Sequence, residues 1–334
     1  MQLTILHTND LHGSVENLAY LSSMACRIRS ELEASSGAVL LVDAGDAEEK
    51  SLLESDVTKG SAMMALLGAA GYQAVAVGNG AALSYGPQCL AGMAAMAPFP
   101  LLAANFTWAH DGKIVEGATP AVLLEVGEVK VGVIGLAPTF DFWSLFGVDV
   151  PQGIDEVCHR QHELRAQGAT VIVVLSHQGS ASDRSLAQAV PGLDVIIGGH
   201  MHEELPAGLW EGETLIAQAG DAGRFLGRVD LIVDPATSVV TRKRAQLLPV
   251  DDSLEPDPAV ASEWQRQQLI VAKMLEEPVG ETLAALPHDP LQESAMGNFL
   301  ADVLRERMDT QVALCISGSL NDGLPGGIVS LGEH

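Results

Sequence analysis

The chain is poor in positive charge. It has 18 Lys and Arg against 43 Asp and Glu, a formal net charge of −25 over 334 residues. A surface this acidic repels phosphate backbones, which argues against a binder of nucleic-acid polymers. Small phosphorylated ligands stay open, because a bound cation reverses the sign of the potential locally. Cysteine is scarce too. Cys26, Cys89, Cys158 and Cys315 are far apart and form no Cys-x-x-Cys pair, so neither a cysteine zinc site nor a disulfide framework is indicated, and the four read as ordinary buried thiols. No apolar run reaches the length of a membrane span; the longest, residues 62–77, is broken by Gly68, Gly71 and Gln73. The N-terminus has no basic n-region and no cleavage site. The expected compartment is therefore the cytoplasm, or the periplasm or exterior if a leader has been removed. Internal repeats and low-complexity stretches are also missing.

What is present is a large apolar fraction, 47% of residues, enough for a sizeable core. The length suits one large domain plus part of another, or two modest domains. Short apolar runs alternate with helical patterns. The first run, Leu3 to Leu6, breaks into Asn9-Asp10-Leu11-His12-Gly13. Asn17 to Ser35 then repeats Leu18, Leu21, Met24, Ile28 and Leu32 at helical spacing. Residues 38–42 form a second strand that stops at Asp43-Ala44-Gly45-Asp46. A helix is expected over 58–70, with Met63, Met64, Leu66 and Leu67 as plain core. Residues 74–77 form a third strand ending in Gly78-Asn79-Gly80. Thr170 to Leu175 reads as a fully buried strand and runs into Ser176-His177. Residues 195–197 lead into Gly198-Gly199-His200-Met201-His202. Four of the chain's few aromatics, Phe140, Phe142, Trp143 and Phe146, crowd one loop after Pro138; they either line a pocket or plug the core. Residues 251–258 have linker composition, a helix follows over 259–275, and the tail predicts a strand, a helix over 293–308 and a strand over 312–316.

Five apolar runs thus end in metal-ligand residue types: Asp10 and His12, Asp46, Asn79, His177, and His200 with His202. Strands alternating with helices imply a sheet with these ends on one edge, where open α/β sheets bind ligands. Any one of these endings is equally a polar turn, but the set contains four of the ten histidines. Seven ligands exceed one tetrahedral ion and suit two ions sharing a carboxylate, the usual clamp for displacement at phosphorus. Mixed imidazole and oxygen donors favour Mn²⁺, Zn²⁺, Fe or Ni²⁺ over Ca²⁺.

The order Asp10-x-His12, Gly45-Asp46, Gly78-Asn79, Ser176-His177 and Gly198-Gly199-His200-x-His202 resembles the calcineurin-like metallophosphoesterases. Within them, Leu6-His7-Thr8-Asn9-Asp10-Leu11-His12-Gly13, Thr58-Lys59-Gly60 and Gln218-Ala219-Gly220 are similar to the bacterial 5′-nucleotidase family. The likeness runs from Leu3 to Asp234 and resumes over Glu293 to Arg305. It implies a four-layer αββα sandwich over residues 1–250, a linker and helix over 251–277, and a truncated α/β segment of the family's C-terminal domain over 278–334. It also implies that one metal takes Asp10, His12 and His202, that the other takes Asn79, His177 and His200, and that Asp46 bridges them. The implied partner is a small phosphorylated substrate, such as a nucleotide.

Three stretches depart from that family. Its third strand ends in Gly-Asn-His-Glu with an Asp beyond; the His assists the leaving group and the Asp orients it. Here Gly80 stands in place of the His, and the Asp is missing. Losing a general acid costs ~10²–10⁴ in rate, less for leaving groups that depart without a proton. After Asp46 comes Ala47-Glu48-Glu49-Lys50, whose carboxylates either repel a phosphate or face solvent. In the tail, Ser317-Gly318-Ser319-Leu320-Asn321-Asp322 lacks the family's substrate-holding Arg, and His334 comes before its base-stacking aromatics. Two functions follow as expectations: slow or altered two-metal hydrolysis of a phosphomonoester or cyclic diester, or a catalytically degenerate metal-binding protein that holds a phosphorylated ligand or partner.

Overall fold

The structure is a computed structural model that describes residues 1–333. It divides into two compact units, residues 1–266 and 267–334. The first is built on two stacked sheets. One sheet has the order β15 (Val240–Pro249), β14 (Phe225–Val233), β1 (Gln2–Thr8), β2 (Ala38–Asp43), β3 (Ala74–Ala76), β4 (Leu101–Leu102) and β6 (Ala118–Thr119). The other has the order β12 (Leu209–Glu211), β13 (Thr214–Ala217), β11 (Val195–Gly198), β10 (Val171–Ser176), β8 (Val129–Leu136) and β7 (Ala121–Val126). A short ribbon pairs β5 (Thr107–Trp108) with β9 (Val148–Asp149).

Alternation along the strands makes the layers. Leu3, Ile5, Leu40 and Val42 point inward and meet Val131, Val133, Val171, Val173 and Leu175 of the second sheet. Leu6, Val39 and Leu41 point outward, against α1 (Val15–Glu33), α3 (Ser61–Ala69) and α5 (Cys89–Met96). On the far side, Ile172, Val174 and Ile196 pack on α6 (Ile154–Ala166) and α7 (Ser180–Ala189). Both faces of the central strands are covered, so β10 reads as an unbroken apolar run rather than an alternating one. The result is the four-layer αββα sandwich. β1 to β4 run parallel, as do β8, β10, β11 and β13, so the carboxyl ends of each set share an edge.

Two expected elements differ. The helix over 58–70 begins only at Ser61, after a short α2 (Leu53–Val57). Lys59 and Gly60 adopt φ of 52° and 86°, which a continuous helix cannot contain, and the Thr58 hydroxyl accepts from Ala62 N to start the new one. Residues 312–316 form no strand: Val312, Leu314 and Ile316 are exposed, and among the described residues no strand pairs with them. An alternating pattern without a ladder partner leaves its backbone to water. The second unit is otherwise a ribbon of β16 (Pro278–Thr282) with β17 (Gly327–Ser330) and the helix α9 (Ala295–Arg307). The helix α8 (Pro258–Leu275) crosses the division between units. Its first turns belong to the first unit, with Val260 fully buried and Trp264 against the outer core. Among the described residues no helix is long and apolar enough to cross a membrane.

Candidate metal centre

Each expected site residue leaves the carboxyl end of a strand. Asp10 and His12 follow β1, Asp46 follows β2, and Asn79 follows β3 at the head of α4 (Gly80–Tyr85). His177 follows β10 in the second sheet, and His200 and His202 follow β11. The site therefore sits where the edges of two sheets meet. Backbone hydrogen bonds lace the loops together: Asp10 N to Gly45 O at 2.8 Å, His12 N to Asp46 O at 3.0 Å and Gly13 N to Ala47 O at 2.9 Å.

These loops follow an unusual path. Asp10, His12, Asp46, His200 and His202 all have positive φ, between 46° and 76°. Five of the ten such non-glycine residues are site candidates. Left-handed backbone costs an L-residue roughly 1–2 kcal/mol, and such strain gathers where a side chain must be aimed. Glycine supplies the close approaches. A Cβ on Gly78 would lie 2.0 Å from Asp46 Oδ1, and one on Gly199 would lie 2.8 Å from His177 Nδ1.

Two sets of side chains converge. Asp10, His12 and His202 bring ligand atoms within 4.8 Å of one another, and so do Asp10, Asp46 and His177. His12 Nε2 is 3.2 Å from His202 Nε2, and Asp10 Oδ1 is 3.3 Å from His202 Nε2 and 3.6 Å from His177 Nε2. Asp46 Oδ2 is 3.2 Å from His177 Nε2. Donors bound ~2.1 Å from one ion are themselves roughly 3.0–3.4 Å apart, so these spacings fit a metal. Three buried atoms fit it more pointedly. Asp10 Oδ1, Asn79 Oδ1 and His177 Nε2 have no hydrogen-bond partner, which is costly for buried polar groups unless a ligand satisfies them. The His177 tautomer suits this role. Its Nδ1 lies 2.7 Å from the carbonyl of Ala44, which can only accept, so Nδ1 carries a hydrogen.

The electrostatics demand positive charge in the same place. Burial alone would raise the Asp46 carboxyl, but a proton on the His177 ring and the Gly80 N–H at 2.8 Å hold it down, at about 2; a cation bound at Nε2 would take the place of that proton. Burial works against a proton on His177, yet Asp46 and Asp10 raise it to about 10. His200 is pulled below its ordinary value by burial and by His177. Its ring belongs to neither tight set. It stands 5.4 Å from the His177 ring and 5.6 Å from Phe140, centroid to centroid, while its backbone N donates to Asp10 Oδ2 at 2.8 Å. Asp10, rather than Asp46, is the residue common to both sets.

The carboxylates after Asp46 divide. Glu49 Oε2 lies 3.8 Å from His12 Nδ1. Glu48 is only 6% exposed, and its Oε1 accepts from Ala81 N at 2.9 Å. Burial and the neighbouring Asp46 charge push its carboxyl up to about 7. Two supporting residues gave no sequence signal of that role. Asn9 Nδ2 donates to Asp10 Oδ2 and to the Gly220 carbonyl, fixing the carboxylate, and Asp221 Oδ2 lies 3.5 Å from His202 Nδ1. Asn9 sits inside the quoted motif, but Asp221 is distant in sequence and only folding brings it near.

A sequence profile described as calcineurin-like phosphoesterase matches residues 3–204, and the match spans every one of the seven expected site residues. The chain belongs to the calcineurin-like phosphoesterase family. Among curated members it is 27% identical over 383 residues to the trifunctional nucleotide phosphoesterase YfkN of Bacillus subtilis, covering 99% of this chain and 25% of that protein. It is 29% identical to a 5′-nucleotidase of Diplobatis ommata, covering 94% of this chain and 62% of that one. The chain thus spans a quarter of the first of these phosphoesterases and under two thirds of the second. Among solved structures, a 5′-nucleotidase precursor from Thermus thermophilus matches with TM-score 0.66 at 23% identity, covering all of this chain and 73% of that one. The sulfate thiohydrolase SoxB of the same organism matches with TM-score 0.69 at 18% identity, covering 99% and 72%. These two are likenesses of fold. That phosphoesterase relatives and a sulfate thiohydrolase share it is a reason to argue the reaction from the site.

Proposed function

We propose that this phosphoesterase-family chain is a metal-dependent phosphoric ester hydrolase. It uses two divalent ions (Mn²⁺, Zn²⁺ or Fe) and acts on a small phosphorylated substrate of the nucleotide class. We place the chemistry in residues 1–250 and assign residues 278–334 to part of a 5′-nucleotidase-like C-terminal domain. Asp10, His12 and His202 would hold one ion and Asn79, His177 and His200 the other, with Asp46 shared, although Asp10 is the carboxylate within ligand range of both tight sets and His200 stands outside them. The observation that carries this reading is that three buried polar atoms on residues following strand ends, Asp10 Oδ1, Asn79 Oδ1 and His177 Nε2, have no hydrogen-bond partner. Two such ions supply a Lewis-acid clamp on the phosphoryl oxygens and activate water.

The chain's own groups do the rest. Asn9 holds Asp10, and Ala44 O fixes His177 with its Nε2 lone pair inward. The Gly80 N–H occupies Asp46 Oδ1, which leaves Oδ2 to face His177. On the leaving-group side Gly80 offers no proton donor. The reaction therefore favours esters whose alcohols leave as stable anions, and it is slow with poor leaving groups.

The test is release of phosphate from a panel of aryl monoesters and diesters by the Mn²⁺-loaded protein beside His12→Ala. Turnover that depends on His12 is expected. No release from protein shown to contain its metals would overturn the reading in favour of a binding role.

A further inference from the structure

The aromatic loop after Pro138 divides its work. Trp143 is the plug: it is buried, its Nε1 donates to the Pro138 carbonyl at 2.8 Å, and it meets Phe106 edge-on at 5.4 Å. Phe140 and Phe142 flank it, each with its ring 5.9 Å from the Trp143 ring. Their rings are stacked 4.9 Å apart and tilted by 15°, and Phe142 is 42% exposed. With Trp143 beside the pair and Phe142 this exposed, part of the stack's ring surface is accessible. The stack is also continuous with the metal centre. Phe140 stands edge-on to His200 at 5.6 Å, and His200 stands 5.4 Å from His177. Its position is tied to the site, because Gln178, next to His177, donates to the Ala137 carbonyl at 3.1 Å. Met201, between two candidate ligands, is exposed on the same loop as His200. An apolar, aromatic surface beside a polar centre is what a binding cleft for an amphipathic ester requires.

We propose that the accessible surface of the Phe140–Phe142 stack seats the planar aromatic group of the phosphate ester, an aryl ring or a nucleobase, while the phosphoryl group lies at the metal centre. This rests on the hydrolase reading for the position of the phosphoryl group. It adds a specificity element from the first unit that neither the metal ligands nor the family likeness supplies. A stacked ring at a partly exposed site adds about tenfold to affinity.

The experiment uses non-hydrolysable ligands, so it reads binding rather than turnover. Calorimetric affinities of the Mn²⁺-loaded full chain are measured for methylphosphonate, phenylphosphonate and the phosphonate analogue of AMP. At least one ring-bearing ligand should bind about tenfold more tightly than methylphosphonate, and which one does so distinguishes an aryl seat from a nucleobase seat. Phe142→Ala should erase the preference. Phe142→Tyr and Leu145→Ala, the latter at an exposed neighbour outside the stack, should retain it. Equal affinity for all three ligands, or a preference that survives Phe142→Ala, overturns this inference and leaves the hydrolase reading standing. No phosphonate binding by metal-loaded protein overturns both.

Discussion

Gly80→His is the most informative single change. The structure sets its geometry. Gly80 opens α4, does not adopt positive φ, and donates its N–H to Asp46 Oδ1, so a side chain there projects beside the metal centre without backbone strain. A Cβ on Gly80 would stand 3.3 Å from Asp46 Oδ1 and 3.4 Å from Glu48 Oε1. Both contacts are tight by a few tenths of an ångström, and Asp46 and Glu48, each held by a backbone N–H, must yield by that much. Overpacking of this order costs about 1–3 kcal/mol of stability. A positioned proton donor contributes ~10²–10⁴ in rate, or roughly 3–5 kcal/mol of barrier. The strain falls on folding stability and the gain on the barrier, so the gain shows in full as long as the variant stays folded. It should also be selective. An alkyl phosphate, whose alcohol needs a proton, should speed up by about 10²-fold or more, and p-nitrophenyl phosphate by less than tenfold. The assay compares kcat/KM for both substrates in Mn²⁺-loaded wild type and variant, with metal content and melting temperature measured on the same samples. An equal change on both substrates, or none from folded and metal-loaded variant, would refute the idea that Gly80 leaves the reaction without an acid. So would a native protein that already cleaves the alkyl ester as fast as the aryl one.

Other expectations follow from the same geometry. Mn²⁺ at a hundred times its Kd should stabilise the fold by about 2.7 kcal/mol, read as a rise in melting temperature, and Asp10→Ala should abolish the rise; an undiminished shift in that variant would mean the ion binds elsewhere. Gly78→Ala places a methyl 2.0 Å from Asp46 Oδ1 and 2.5 Å from its backbone N, so Asp46 must move by about 1 Å and kcat/KM should fall ~10²-fold; a change under twofold would show that the placement of Asp46 is not limiting. His7 is fully buried, and burial lowers its pKa from 6.5 to about 3. Below pH 6.5 the unfolded chain takes up a proton that the folded chain refuses, so this residue removes stability as pH falls from 6.5 toward 3, on the order of 5 kcal/mol by the lower end. Asp43, raised to about 7 by burial, acts in the opposite sense, losing stability as pH rises from 3.8 to 7. The His7 contribution is therefore read as the difference in melting temperature between wild type and His7→Asn across pH 6.5 to 4, and parallel curves would contradict it.

Much of the site was legible because strand ends are abrupt in this sequence. Each apolar run breaks into Asp, Asn or His within a few residues, and all seven candidates emerge at the edge where the two sheets meet. The run pattern by itself gave one sheet edge. Nothing in it separates the strands that carry Asp10, Asp46 and Asn79 from those that carry His177, His200 and His202, since both sets are equally apolar on two faces. The seclusion of Glu48 was illegible for a related reason: beside Glu49 and Lys50 it reads as solvated charge, and only the head of α4 folding over it, with Ala81 N on its carboxylate, takes it from water. Residues 312–316 misled in the other direction. Their period-2 pattern specifies a face, but a strand needs a neighbour, and none is present among the described residues.

The left-handed backbone at five of the seven candidates explains why local rules fail at this edge and nowhere else so densely. Glycine would sit there without strain, and the chain does use it at Gly45, with φ of 104°, while Gly78 and Gly199 are places where a Cβ would strike the site. At Asp10, His12, Asp46, His200 and His202 the side chain is kept despite strain of roughly 1–3 kcal/mol each. Burying Asp10 and Asp46 face to face adds a further cost unless positive charge lies between them. A sequence shaped for stability alone would relieve both with Asn or Gly at these turns, residues that tolerate positive φ and carry no charge. It keeps strained carboxylates and imidazoles, with Asn9, Ala44 and Asp221 holding three of them in orientation, and a bound cation would offset the cost. A cation bound at this edge would couple folding stability to function, so removing Asp10 or Asp46 should lower the melting temperature measured with Mn²⁺ more than that measured with chelator.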